Sequence, residues 1–151
     1  ALLQRAITEI RNLSKALVTP VLYDIGLRAT LEELIEQYRA LQLFAVEFTF
    51  DVTEQSLENG LQLTIYRILQ EQLNNIVKHA GASEVAVRVE TGRDNISICI
   101  RDNGIGFDPG QKRSGLGLHN MKNRTEVFKG EMHINAAVGS GCSICIRFPL
   151  Q

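Results

Sequence analysis

"ISICIRDNGIGFDPG", Ile96 to Gly110, changes character half way along. Ile96, Ile98 and Ile100 alternate with Ser97, Cys99 and Arg101, the two-residue period of a strand with one apolar face. The alternation stops at Asp102, where an acid, an amide and two glycines crowd into a short loop. That loop puts a hydrogen-bond acceptor beside bare backbone at the end of a strand.

The same period recurs on both sides. Phe44, Val46, Phe48, Phe50 and Val52 face one way in the first strand, and "VAVRV" (85–89), "MHINA" (132–136) and "SICIRF" (143–148) repeat the pattern. "GRDN" at 92–95 reads as a turn, so strands 85–91 and 96–102 form a hairpin. Five strands with one apolar face each predict a sheet covered by helices on one side only.

Helical spacing supplies the cover. Leu3, Ile7, Ile10, Leu13 and Leu17 form a narrow apolar stripe over residues 3–18, and Pro20 is expected to help end that helix. A second helix is expected over 27–41, a third over 61–80 with Gly81 closing it, and a fourth over about 116–129 with Gly130 closing it.

Bulk properties narrow the function. The 151 residues suit one ordinary domain, and 44% hydrophobic with 22% charged residues is average for a soluble protein. No apolar run is long enough to span a bilayer, and a net charge of -1 gives neither a basic footprint for nucleic acid nor a polybasic membrane anchor. A cytoplasmic fragment is the expectation. Cys142 and Cys145 have CxxC spacing, but on a strand residues three apart face opposite ways, so the expectation is reduced structural cysteines.

The helix 61–80 carries chemistry on one face. At about 100° per residue, Arg67, Asn75 and Lys78 fall within ~40° of Glu71, while Ile65, Leu69, Leu73, Ile76 and Ala80 lie opposite. A carboxylate and a carbonyl amide one turn apart can serve a hard cation, since magnesium takes few protein ligands when phosphates and waters supply the rest. An amphipathic helix alone would more often show a solvated polar face.

Context adds weight. "SGLGLHNM" (114–121) starts a helix shortly after Gly106, and free N–H groups at a helix start attract phosphate, which places Gly115 and Gly117. Asp102 can accept from an exocyclic amine such as that of adenine, with glycines leaving room for a flat ring. No G-x-x-x-x-G-K-[ST] is present, neither Gly pair continues to a dinucleotide fingerprint, and a calcium loop counted from Asp102 would end on Arg113.

These pieces resemble the ATP-binding catalytic domain of two-component sensor histidine kinases within the GHKL ATPase superfamily, in the branch paired with NarL-type response regulators. "QEQLNNIVKHA" is similar to the N box, "RDNGIGF" and "SGLGLHNMKNR" to the glycine boxes, and "GSGCSICIRFPL" to the closing turn and strand. "EIRNLSKALVTPVLYDIGL" is similar to the end of that branch's dimerisation segment.

The resemblance implies an α/β two-layer sandwich of a mixed five-stranded sheet with helices on one face, residues 1–20 ending the dimerisation helix and 21–151 forming the ATP-binding domain. By position it implies Mg2+ at Asn75 with Glu71 supporting the metal or its water. It puts the adenine amine at Asp102, and the nucleotide along Gly104, Gly106, Gly115, Leu116, Gly117 and Leu118, with Lys78 and His79 on the phosphate side. Residues 107–114 would be a short lid.

Two departures stand out. Cys142 occupies a position where the family usually has threonine, and the family's phosphorylated histidine has no match here. His79, His119 and His133 all fall inside the catalytic domain, so the expected acceptor lies on a histidine-containing dimerisation domain of the same protein, working as a homodimer and feeding a response regulator. The alternatives are an anti-sigma-type serine kinase and a nucleotide-binding module without phosphotransfer.

Overall fold

Alternation in the sequence becomes a five-stranded mixed sheet. The computed structural model describes residues 2–53, 57–111 and 115–151, and for 13–21 the backbone alone. Its strands are β1 (Ala45–Asp51), β2 (Glu84–Thr91), β3 (Asn95–Asp102), β4 (Glu131–Ala136) and β5 (Cys142–Pro149), in the order β1-β2-β3-β5-β4. β1 runs parallel to β2, and the other neighbours are antiparallel.

One face of the sheet is the core. Val85, Val87 and Val89 of β2, Ile96, Ile98 and Ile100 of β3, and Ile144, Ile146 and Phe148 of β5 are buried against helix residues Ile65, Leu69 and Leu73. Each such side chain contributes on the order of 1.5–3 kcal/mol when fully buried. The period of two thus gives the sheet its apolar side, and the expected two-layer arrangement is present.

Helix α2 (Asn59–Asn75) starts two residues earlier than the spacing predicts and continues into a π-helical turn, Ile76–Ala80. Gly81 closes it in the left-handed conformation (φ 57°), as its position suggested. A π turn carries an extra residue per hydrogen-bonded ring, so it re-aims the side chains at the helix end, and such turns recur at functional sites.

Helix α3 (Leu116–Val127) ends differently from expectation. Lys129, with φ 56°, makes the left-handed step. Gly130 is bare because a Cβ there would lie 2.7 Å from Phe148 and 2.8 Å from Thr125.

The leading helix also departs from the reading. Pro20 does not end it: α1 is helical over Leu2–Arg39, and the break comes at Gly26 (φ 86°, ψ 170°), a conformation that costs glycine least. Beyond the break Leu27, Leu31, Leu34, Ile35 and Tyr38 enter the core. Before it, Arg11 reaches Glu71 (3.4 Å), while Tyr38 donates to Asn74 Oδ1 (2.6 Å). A straight helix would hold Arg11 and Tyr38 about 40 Å apart. Both meet the same turn of α2, so the chain reverses at Gly26 and its first half lies along α2. Ile7 and Ile10 of the apolar stripe are therefore already covered within one chain. Leu13 and Leu17 lie outside the residues whose side chains are described.

The cysteine expectation needs correction. Cys142 and Cys145 do face opposite ways, but Cys145 stands opposite Cys99 in the β3–β5 register and the two form a disulfide. Sequence spacing could exclude a bond inside "CSIC"; it could not supply the register that brings Cys99 across. Cys142 is the free thiol, buried, and burial followed by the charge of Asp102 pushes its pKa up to about 11. At pH 8 its thiolate fraction is then ~10⁻³, a few hundredfold below an ordinary thiol of pKa about 8.5. Thiol titration of the unreduced, denatured chain is expected to find Cys142 alone, and iodoacetamide is expected to label it slowly in the folded state. Three thiols before reduction would remove the disulfide.

Candidate functional site

The polar face of α2 and the start of α3 enclose one cavity of about 570 Å³. Its walls include Glu71, Asn75, Lys78 and His79 from α2 and its π turn, and Gly115, Leu116 and Gly117 from the start of α3. Seven of the residues expected at the site therefore meet around one space, although Gly115 and Glu71 are far apart in sequence.

Gly117 explains how closely the two helices approach. A Cβ on it would fall 2.5 Å from Glu71 Oε1 and 3.2 Å from Asn75 Oδ1. Asn75 Nδ2 donates to Gln72 Oε1 (3.4 Å), which leaves Oδ1 without a protein donor among the described residues. Two oxygens thus face the same backbone spot at a helix N-terminus.

Glu71 has a partner that the sequence did not suggest. Arg11 Nη2 from α1 lies 3.4 Å from Glu71 Oε2 with both side chains partly exposed, a pair contributing at most about 1 kcal/mol. Its position in the stripe helix carries no signal for this contact, because the reversal at Gly26 creates it. Arg67, Gln70, Asn120 and Arg124 also line the cavity and were not among the expected residues.

Beneath the cavity lies a buried polar layer. Tyr38 donates to Asn74 Oδ1, and burial holds its hydroxyl well above the ordinary tyrosine pKa. Asn74 Nδ2 and Gln70 Nε2 are buried with no protein partner among the described residues.

The loop after β3 joins the cavity through α2's last turn. Ile105 N donates to Ala80 O (2.8 Å), and Gly139 N donates to Ile105 O (2.6 Å). Asp102, Gly104, Gly106 and Leu118 do not line the cavity itself. Asp102 is buried, and its Oδ1 accepts from Gly104 N (2.9 Å), leaving Oδ2 without a protein partner among the described residues.

The loop's glycines have a physical reason that the sequence does not show. A Cβ at Gly104 would lie 2.2 Å from Ala80 O, and at Gly106, where φ is 62°, 2.0 Å from Ala137 O. Both are bare because backbone docks on them. Asn103 acts likewise as a splint: its Oδ1 accepts from Ser83 N and Glu84 N, each at 3.0 Å. Of the expected lid, residues 112–114 lie outside the described residues, and Asp108 Oδ1 caps Gly110 N in the part before them.

An oxygen pair facing a helix N-terminus, basic side chains on the same wall and a one-sided mixed sheet define an α/β sandwich with a polar cleft between two helices. Comparison with known proteins gives the family. Residues 60–151 match the model of the histidine kinase-, DNA gyrase B- and HSP90-like ATPases, and the chain belongs to that family. It is 39% identical over 142 residues to the sensor histidine kinase MctS of Rhizobium johnstonii, covering 89% of this chain and 30% of that protein. It is 30% identical over 151 residues to the oxygen sensor histidine kinase NreB of Staphylococcus carnosus, covering 99% and 44%. The chain thus spans less than half the length of these relatives.

Two solved structures share the fold. The histidine kinase domain of the Erythrobacter litoralis EL346 blue-light activated kinase superposes with a TM-score of 0.69 at 19% identity, over 82% of this chain and 61% of that one. The Acinetobacter baumannii kinase AdeS superposes with 0.61 at 17% identity, over 99% and 76%. Among the described residues no helix is long and apolar enough to cross a membrane.

Proposed function

We propose that this chain is the Mg-ATP-binding catalytic domain of a sensor histidine kinase of the NarL-paired branch. In the full protein it transfers the γ-phosphoryl group to a histidine on the dimerisation domain, for relay to a response regulator. The observation that carries this reading is the convergence of Glu71 and Asn75 on Gly117 at the start of α3, with Lys78 and His79 on the same cavity wall. Residues 1–20 then end the dimerisation helix, residues 21–151 bind the nucleotide on the cytoplasmic side, and the full protein works as a homodimer.

Each role follows from chemistry at a named atom. The free N–H groups at the start of α3, beside Gly115 and Gly117, hold phosphate oxygens. Lys78 adds positive charge in the π turn that follows α2, His79 offers ring nitrogens beside it, and Asp102 Oδ2 accepts from the adenine amine. Asn75 Oδ1 and the Glu71 carboxylate are the oxygens this chain offers to magnesium, which needs few protein ligands when phosphates and waters complete its shell. Bound there, the metal neutralises charge on the phosphates. Transfer forms a bond from an imidazole nitrogen to the γ-phosphorus and breaks the one to the bridging oxygen, releasing ADP.

Calorimetry with Mg-ATP tests the site. Asn75→Asp adds a negative charge where phosphates are held, and is expected to weaken binding by about tenfold or more. Unchanged affinity would remove Asn75 from the site. Incubation with labelled ATP and a separate histidine-bearing dimerisation fragment tests the transfer; tight ATP binding with no label on histidine would instead identify a non-transferring nucleotide module.

A further inference from the structure

The cavity extends past the residues used so far. Arg67 on α2 and Arg124 on α3 both line it, at the end away from Ala80 and the Asp102 loop. α2 and α3 run in opposite senses, since Gly117 faces Asn75 at one end and a Cβ on Gly60 would lie 2.9 Å from the Phe128 ring at the other, so Arg67 and Arg124 lie on the same side of the Asn75–Gly117 contact. Along either helix this step is about 10–12 Å, within reach of an arginine side chain from a triphosphate that starts at Gly117.

Neither guanidinium has an acidic partner among the described residues. Arg67 Nη1 donates instead to Gln70 Oε1 (3.0 Å), and its guanidinium stands 5.7 Å from the Tyr66 ring. Gln70 is buried, so this contact fixes where the Arg67 fork points. Burial lowers the pKa of Arg67 from its ordinary value, Tyr66 opposes that shift, and the charge of Arg124 adds a smaller push downward. Two like charges that line one cavity, neither ion-paired among the described residues, gain from an anion that takes both.

We propose that Arg67 and Arg124 form the subsite for the terminal phosphoryl group of the nucleotide, so that the chain distinguishes a triphosphate from a diphosphate through this pair. The inference rests on the nucleotide reading of the cavity. Planar forks present paired donors to phosphate oxygens, and the charge that develops on the γ-phosphoryl group during transfer falls between them. Glu71, already paired with Arg11, lies between this subsite and Asn75 along α2, which keeps its carboxylate near the β- and γ-phosphates without a second cation on that side.

The test compares Mg-ATP with Mg-ADP by calorimetry on the whole chain. Arg124 is exposed, so Arg124→Gln leaves the fold intact; Arg67→Gln and the double variant are checked for an unchanged melting temperature first. The expected result is an ATP affinity lowered about tenfold in each single variant, with ADP affinity held within about twofold. Arg67→Lys keeps the charge without the fork and is expected to restore only part of the loss. Equal losses for ATP and ADP, or no loss for either, would overturn the subsite while leaving nucleotide binding intact. A parent chain that binds neither nucleotide would overturn the nucleotide reading itself, and the subsite with it. Should the Arg67 variants fail to fold, Arg124→Gln alone decides the matter by the same ATP-to-ADP ratio.

Discussion

Gly106→Ala is expected to lower the melting temperature by about 10 °C. Two costs combine at this position. A non-glycine residue held in the left-handed region costs on the order of 1 kcal/mol, and here φ is 62°. The added Cβ would also fall 2.0 Å from Ala137 O and 2.7 Å from Gly141 O, and those are backbone atoms that cannot swing away. Forcing them apart adds roughly 1–3 kcal/mol. At ~3 kcal/mol in total, and 2–4 °C per kcal/mol for a domain of this size, the shift is about 10 °C. Gly139→Ala supplies the control. Its φ is 81°, yet no atom lies within 4 Å of a Cβ there, so it is expected to cost only the conformational part, about 3 °C. Equal melting temperatures for the two variants would show that the loop yields and that docking on the 137–141 turn does not explain the bare glycine.

The comparison of these glycines shows what a sequence carries and what it leaves open. Periods of two and 3.6 located every strand and the helices on the sheet, because apolar burial imposes them wherever one face is covered. The polar face of α2 was legible for the same reason: Glu71, Asn75 and Lys78 must avoid the face that packs on the sheet. What the loop glycines touch was not legible, because Ala80 O and Ala137 O are brought to Gly104 and Gly106 by tertiary packing. The break at Gly26 was missed because proline is the stronger local signal, although only glycine fits a φ of 86° and ψ of 170° cheaply. That miss also hid Arg11, which reaches Glu71 only after the chain turns back. Arg67 shared the wheel face with Glu71, yet nothing local tied it to Arg124, since that pairing depends on α3 lying antiparallel to α2.

Asp102→Asn is expected to weaken Mg-ATP binding about a hundredfold while leaving the fold in place. The carboxylate's two oxygens have separate tasks. Oδ1 accepts from Gly104 N and holds the loop, and an asparagine carbonyl can keep that bond. Oδ2 has no protein partner among the described residues, and in the variant an NH2 group stands there. A donor then faces the donor of the adenine amine, and a charged hydrogen bond of about 1.5–3 kcal/mol is lost. A 6-oxo purine presents an acceptor at the same place, so the variant's preference is expected to move from ATP toward GTP. Cys142 provides an independent check on position. It stands opposite Asp102 in the β3–β5 register, and after burial the charge of Asp102 is the second influence raising its pKa. Removing that charge lowers the Cys142 pKa, so its alkylation is expected to speed up at pH 8. If alkylation quickens while ATP affinity and purine preference stay as they were, Asp102 lies beside Cys142 but does not hold the base, and the adenine end of the site must be sought elsewhere.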